Sequence, residues 1–388
     1  MAVPKLRFKE FNDSWDLKKL DHIAEVNPKT KELPASFFYI DLESVSEGLL
    51  IQRKKIDINE APSRAQRLLE KSDVLFQMVR PYQQNNFYFD LDGDYVASTG
   101  YAQIRTKLNS KYIYYVLHSK KFLDEVINRC TGTSYPAINS SELSSIEVAF
   151  PSIREQTKIA SFLSNVDEKI NQLTQKHELL SQYKQGMMQK LFSQQIRFKA
   201  DDGSEFGEWE DKKLGEISKT FSGGTPQSSN KSFYEGTIPF IKSGEISKNT
   251  TEQCINDLAL EKSSAKLVKK GDLLYALYGA TSGQVAISQI DGAINQAVLC
   301  IRSELNTKYL LNFLLLKKEE ILTTYLQGGQ GNLSASILKE IYIPTPCLEE
   351  QTKIANFLSA IDQKIEVVAQ QIEQAKQWKK GLLQQMFV

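Results

Sequence analysis

Cysteine and histidine are scarce in this chain of 388 residues. The four cysteines, Cys130, Cys254, Cys300 and Cys347, are widely scattered. They form no CxxC pair and no zinc-type spacing, so they read as reduced thiols of a cytoplasmic protein. The three histidines, His22, His118 and His177, have no metal-ligand spacing either. No metal is expected on this chain. Long apolar runs are missing too. The longest, YLLNFLLL (309–316), is far too short to span a bilayer, and the N-terminus lacks the pattern of a secretory signal. Charge of one sign is also lacking. The net charge is +1, and residues 1–150 hold 20 Lys+Arg against 20 Asp+Glu. A polyanionic partner therefore cannot be argued from bulk charge and would need local basic surfaces.

Catalytic signatures are absent as well. No GxxxxGK[ST] phosphate loop occurs, and no glycine-rich cofactor loop follows a strand. The segment NPKT (27–30) lacks the second proline and the aromatic of an adenine-methyltransferase motif. GGQG (328–331) is not followed by Lys-Ser/Thr and reads as a loop. Asp92 and Asp94 in DLDGDY read as a polar turn.

What is present is a repeat. EQTKIASFLS (155–164) returns as EQTKIANFLS (350–359), 195 residues later. Residues 155–192 and 350–387 align without a gap, and about half of the positions are identical. Weaker echoes run through the preceding regions: WDLKKLDHI (15–23) answers WEDKKLGEI (209–217), SDVLF (72–76) answers GDLLY (271–275), and KYIYYVLHSKK (111–121) answers KYLLNFLLLKK (308–318). The chain is a tandem duplication of a diverged globular part followed by a better-matched tail.

The tail reads as a helix, with Ser152 and Glu155 spaced as a capping box after a proline. Apolar residues then recur at steps of four and three: Ile159, Leu163, Val166, Ile170 and Leu173 in the first copy, Ile354, Leu358, Ile361, Ile365 and Val368 in the second. That is a coiled-coil seam. His177, Lys184 and Lys379 interrupt it as register or edge residues with snorkelling stems. The globular parts read as mixed α and β. VLFQMV, FYFDL, DLLYALYG and QVAISQI are strand-like, and 111–128 and 307–323 are amphipathic helical stretches.

The order is therefore domain 1–150, helix 151–192, domain 193–345, helix 346–388. The expected fold is α+β: two similar domains separated by two long antiparallel coiled-coil helices, pseudo-twofold symmetric. Each helix would be roughly 57 Å long. Two similar but diverged modules at a fixed separation suit a target with two different half-sites, and DNA is such a target.

The string PxxxEQxKIAxFL, once after each variable region, resembles the specificity subunits of type I restriction-modification systems. FSGGTP (221–226), IPFIKSGEI (238–246) and INQA (294–297) are similar to target recognition domains of that family, whereas the first domain has NPKT in place of SGGTP. The resemblance implies that each domain reads one half of a split double-stranded DNA sequence. It implies that two methyltransferase subunits and then restriction-translocase subunits join the chain. S-adenosylmethionine, ATP and Mg²⁺ would sit on those partners, and this chain would carry no catalytic site. One rival reading is a coiled-coil scaffold that bridges two copies of a partner without touching DNA; a second is an enzyme with an unrecognised site in each globular part.

Contact candidates are polar loops containing aromatics. In VRPYQQNNFYF (79–89), Arg80 suits guanine, and Gln83, Gln84, Asn85 and Asn86, beside Tyr82, suit adenine edges. The same run also reads as a polar surface hairpin. QRKK (52–55) suits phosphates or is a solvated face. Thr133, Ser134 and Tyr135 in GTSYPAIN (132–139) correspond in position to Gln330 and Asn332 in GQGNLSAS (329–336). In the second domain the candidates are Lys242 and Ser243 for phosphate, and Tyr278, Thr281, Ser282 and Gln284 in ALYGATSGQ (276–284).

Overall fold

The computed structural model describes residues 3–326 and 333–388. The chain divides into two compact units, Met1–Thr174 with Gln370–Val388, and Gln175–Ala369. Two long helices, Ile153–Phe192 and Leu348–Met386, each contribute residues to both units.

The first unit holds two four-stranded sheets. In one, the order is Lys54–Asp57, Ser36–Ile40, Tyr95–Ser98, Ala65–Leu68; in the other, Glu25–Val26, Tyr101–Arg105, Val74–Gln77, Phe87–Tyr88. The second unit repeats both: Cys254–Ile255, Ile238–Ile241, Gly292–Ile294, Lys266–Val268, and Ser218–Ser222, Val298–Ser303, Leu273–Ala276, Val285–Ile287. One pair in each unit is parallel, with Val96 opposite Tyr39 and Phe240 opposite Ala293. Val74–Gln77 and Leu273–Ala276 are buried on both faces, which explains their unbroken apolar sequence. A two-stranded ribbon ends each globular part: Asp16–Lys19 pairs with Glu147–Phe150, and Glu210–Lys213 with Tyr342–Thr345. The hydroxyls of Tyr112 and Tyr309 donate to the outgoing strands, at Ala149 O (3.0 Å) and Pro344 O (2.7 Å).

Each helical stretch before the tail is two helices, not one. Residues 111–128 form Ser110–Val116 and Lys120–Arg129, because the Ser119 hydroxyl accepts the Phe122 N–H and starts a new helix. The counterpart forms Thr307–Leu316 and Lys318–Leu326.

The repeated Glu-Gln pair has a structural reason. Glu155 is 1% exposed, and Arg7 grips its carboxylate at 2.7 and 2.8 Å. Glu350 is fully buried, and Arg197 grips it at 3.0 and 2.7 Å. The indole N–H of Trp209 also donates to Glu350 at 2.8 Å, whereas the buried indole nitrogen of Trp15 has no partner. Gln156 donates to Pro151 O and accepts from Asn109 N; Gln351 does the same with Pro346 O and Asn306 N. These residues bolt the opening of each long helix onto its own globular part. The expected capping box is half formed: Ser152 Oγ accepts the Glu155 N–H, but the Glu155 carboxylate is held by Arg7.

Within each unit the long helices pair antiparallel, the opening of one against the closing turns of the other. In the first unit Ile159, Leu163 and Val166 share a core with Leu382, Met386 and Phe387. In the second, Met188, Leu191 and Phe192 share a core with Ile354, Leu358 and Ile361. The ends of the seam thus complete the globular cores. Lys379 meets Asp167 in the first unit and Lys184 meets Asp362 in the second, both at 2.6 Å. The seam-interrupting lysines are therefore satisfied by carboxylates on the facing helix. None of the described helices is long and apolar enough to cross a membrane.

Candidate nucleic-acid interface

The two loops singled out above occupy equivalent places. Loop 78–86 joins Val74–Gln77 to Phe87–Tyr88, and loop 277–284 joins Leu273–Ala276 to Val285–Ile287. Their roots are fixed alike. Met78 N donates to Gly100 O and Met78 O accepts from Ile138 N; Leu277 N donates to Ala297 O and Leu277 O accepts from Leu333 N.

In the first unit, loops 78–86 and 131–137 come together. Val79 and Thr131 each bridge to Ala137, and Arg80 N donates to Pro136 O at 2.8 Å. The Arg80 guanidinium stacks on the Tyr135 ring, 4.2 Å from its centroid. Tyr82 and Tyr135 are 52% and 64% exposed, and Gln83, Thr133 and Ser134 are also exposed. Gln84 and Asn85 are half-buried: the Gln84 amide donates to His118 O, and the Asn85 amide oxygen accepts the Glu47 N–H.

Asn86 is a correction. It is 1% exposed, its amide oxygen accepts Gln77 N at 2.9 Å, and its amide nitrogen lies 3.4 Å from His118 Nε2. It faces inward because the chain re-enters a strand at Phe87, and its polar groups are spent on holding the loop. Gln77 and His118 were not anticipated. Buried Gln77 donates to Val79 O and Gln83 Oε1 and accepts from Asn85 N. His118 Nδ1 meets Tyr114 O at 2.8 Å, and burial lowers its pKa to about 4, so the ring is neutral. The signal for Gln77 was a single amide inside the apolar run VLFQMV, since a buried amide must find partners.

In the second unit the motifs converge. Gly223 N donates to Asn295 O, and the Thr225 hydroxyl donates to Gln296 Oε1 at 2.5 Å, so SGGTP and INQA meet. Gly223 is required there, because a Cβ would lie 1.7 Å from Ile294 O. The strand of IPFIKSGEI lies beside INQA. A cleft of about 370 Å³ opens among Thr225, Lys231, Tyr234, Lys242, Gln253 and Asn295. Neither lysine forms an ion pair among the described residues. Lys242 and Ser243 are half-buried, and a Cβ on Gly244 would touch the Thr281 methyl at 4.0 Å, so this turn adjoins loop 277–284. Tyr278 and Thr281 are half-buried and Gln284 is exposed; the Ser282 hydroxyl is engaged by Leu277 O at 3.0 Å. Gln330 and Asn332 lie outside the described residues.

In the first unit NPKT takes the place of SGGTP. The Asn27 side chain accepts from Gln103 N and donates to Ser140 Oγ, and the Thr30 hydroxyl donates to Gln66 O. Among the described residues no group of three or more His, Cys, Asp or Glu is placed to hold a metal ion.

The architecture is thus a duplicated α+β unit that presents the loop 78–86 or 277–284 at the same place in each copy, with different side chains. Residues 12–181 and 207–377 each match the type I restriction modification DNA specificity domain. The chain belongs to this family, as a type I restriction-modification specificity subunit with two such domains. It is 27% identical to the MjaVIII specificity subunit of Methanocaldococcus jannaschii, covering 96% of this chain and 91% of that one. It is 23% identical to the HindI specificity subunit of Haemophilus influenzae, covering 80% and 84%. The fold is shared with the S subunit of a type I system from M. genitalium (TM-score 0.60, 17% identity, 100% and 99% covered). It is also shared with a chain solved in a study of complex assembly and conformational transition of a type I system (TM-score 0.64, 21% identity, 96% and 97% covered).

Proposed function

We propose that this chain reads a bipartite double-stranded DNA target, one unit per half-site, and scaffolds two methyltransferase subunits and the restriction-translocase subunits. S-adenosylmethionine, ATP and Mg²⁺ belong to those partners, and this chain performs no chemistry of its own. One observation carries the reading: loops 78–86 and 277–284 sit at the same point of the same topology, yet one presents Arg80, Tyr82 and Gln83 and the other Tyr278, Thr281 and Gln284. Equal scaffolds with unequal loops are what two different half-sites require. The candidates that remain available at these loops and the segments beside them are Arg80, Tyr82, Gln83, Thr133, Ser134 and Tyr135 in the first unit, and Lys242, Tyr278, Thr281 and Gln284 in the second. The lysines suit phosphates, which position without specifying, and the amides suit base edges.

A domain exchange tests the modular part of this reading. Residues 1–150 are replaced by the corresponding region of another family member, and the recognised sequence of the assembled methyltransferase is mapped before and after. One half of the target changes and the other persists. If both halves change together, the units do not read independently. If the complex assembles but selects no sequence, the chain is a scaffold.

A further inference from the structure

Ten arginines occur in the chain, and four of them are committed to a carboxylate fork. Arg7, Arg105, Arg197 and Arg302 each hold one carboxylate through two nitrogens. The Arg105–Asp73 and Arg302–Asp272 forks lie at matching positions of the two units and are structural. Arg80 is different. Its guanidinium makes no hydrogen bond or ion pair among the described residues, although the side chain is half-buried and its Nε is enclosed and without an acceptor.

Four features fix where that group stands. Its backbone is left-handed, at φ 53° and ψ 53°, a conformation a non-glycine residue keeps only when its surroundings impose it. Its N–H is bonded to Pro136 O on the neighbouring loop. Gln77 and the Asn86–His118 contact brace the loop from below. The guanidinium carbon lies over the Tyr135 ring, 4.2 Å from its centroid. The backbone and the ring restrict the side chain before any ligand arrives, and the enclosed Nε leaves the two terminal nitrogens to meet an acceptor from outside. A planar, end-on pair of donors matches the O6 and N7 acceptors of guanine in the major groove.

We propose that Arg80, clamped by Tyr135, reads a guanine in the half-site contacted by the first unit. Tyr135 is a positioning residue: it holds the plane of the fork and need not touch the base. The second unit has no arginine in its equivalent loop 277–284, so this mode of reading belongs to one half-site alone. The proposal rests on the DNA-reading function given above, and the test separates the two.

The full chain is assembled with the methyltransferase subunits of its own system. Its relative affinity is measured for duplexes in which each base pair of the first half-site is replaced in turn. In the unaltered complex one G·C position is preferred by about 5- to 150-fold, the range for a good bidentate contact. Arg80→Ala abolishes the preference at that position and leaves the other positions and the second half-site discriminated as before. Arg80→Lys keeps the charge but not the fork, and also loses the preference. Tyr135→Phe retains it, and Tyr135→Ala weakens it. The proposal is overturned if Arg80→Ala leaves every preference intact, or lowers binding to all sequences equally, as loss of a phosphate contact would. If Arg80→Ala yields no complex, Arg80→Met, which keeps the apolar stem without a donor, decides, and a methionine variant with full preference overturns the proposal. If the unaltered complex prefers no base anywhere, the DNA-reading function itself fails.

Discussion

Removing Arg7 and removing Arg197 are the same substitution at repeated positions, and the structure predicts unequal costs. Each arginine neutralises a carboxylate that is almost wholly enclosed, Glu155 at 1% and Glu350 at 0% exposure. Breaking one partner of a buried pair leaves an uncompensated charge, which costs about 3–5 kcal/mol. Arg7 and Arg197 themselves reach solvent, so the lower end applies, about 3 kcal/mol. After Arg197→Ala, Glu350 keeps the Trp209 indole bond at 2.8 Å; after Arg7→Ala, Glu155 keeps no indole, because Trp15 does not donate to it. A hydrogen bond to a charged group contributes about 1.5–3 kcal/mol. Arg7→Ala should therefore destabilise its unit by at least 1 kcal/mol more than Arg197→Ala, and Trp209→Phe should bring Arg197→Ala up to the Arg7→Ala value. Hydrogen exchange on the full chain reads both sites at once, through peptides covering 155–166 and 350–361. Equal losses at the two sites, or a larger loss for Arg197→Ala, would refute the compensating role of Trp209, and no loss at either site would refute the argument that these carboxylates anchor the helices.

Other outcomes follow from single features. Burial lowers the His118 pKa to about 4 from an ordinary 6.5, so the unfolded chain takes up that proton first; the ring's contribution to stability is full above about pH 6.5 and is lost as the pH falls toward 4, and NMR should show His118 neutral at pH 6. Burial opposes ionisation of Asp272, but the Arg302 fork and the Lys269 N–H outweigh it and hold the carboxyl below its ordinary value of 3.8; its contribution is full above that value and is lost as the pH falls further, so Asp272→Asn should flatten the acid limb of second-unit unfolding. Burial first, and then the Asp272 charge, push the Cys300 thiol up to about 12, so alkylation near neutral pH should label exposed Cys347 and reach Cys300 only on unfolding. A half chain ending near residue 195 loses Leu382, Met386 and Phe387 from its core. Since each such side chain contributes about 1.5–3 kcal/mol, it should fold as a dimer in which each copy lends Met187, Leu191 and Phe192 to the other, and a stable monomer in sedimentation would contradict this.

Much of this organisation was legible in the chain because a repeat reports on itself. A gapless tail of 38 positions at helical spacing could only be one long helix twice, and the weaker echoes at 72–76 and 271–275 fell on strands with the same place in the two sheets. The run QQNN pointed to the right loop but not to the right side chains. Four adjacent amides look alike in sequence, yet only the last is enclosed where the strand resumes. Gln77 was hidden for the opposite reason, as one polar residue in an apolar strand. The seam was read as helix against helix, whereas its ends serve the globular cores, because Ile159 looks the same from sequence whether it meets Leu382 or Tyr112. Glu155 fitted a capping box until Arg7, 148 residues away, took its carboxylate; a partner that distant leaves no local trace.

The most direct test of the central claim is to express the chain with its methyltransferase subunits in a methylation-free host and map every modified base. The account predicts one split motif, two fixed blocks of different sequence separated by unspecified base pairs. A single continuous motif, or a palindrome with identical halves, would contradict the assignment of one diverged unit to each half-site.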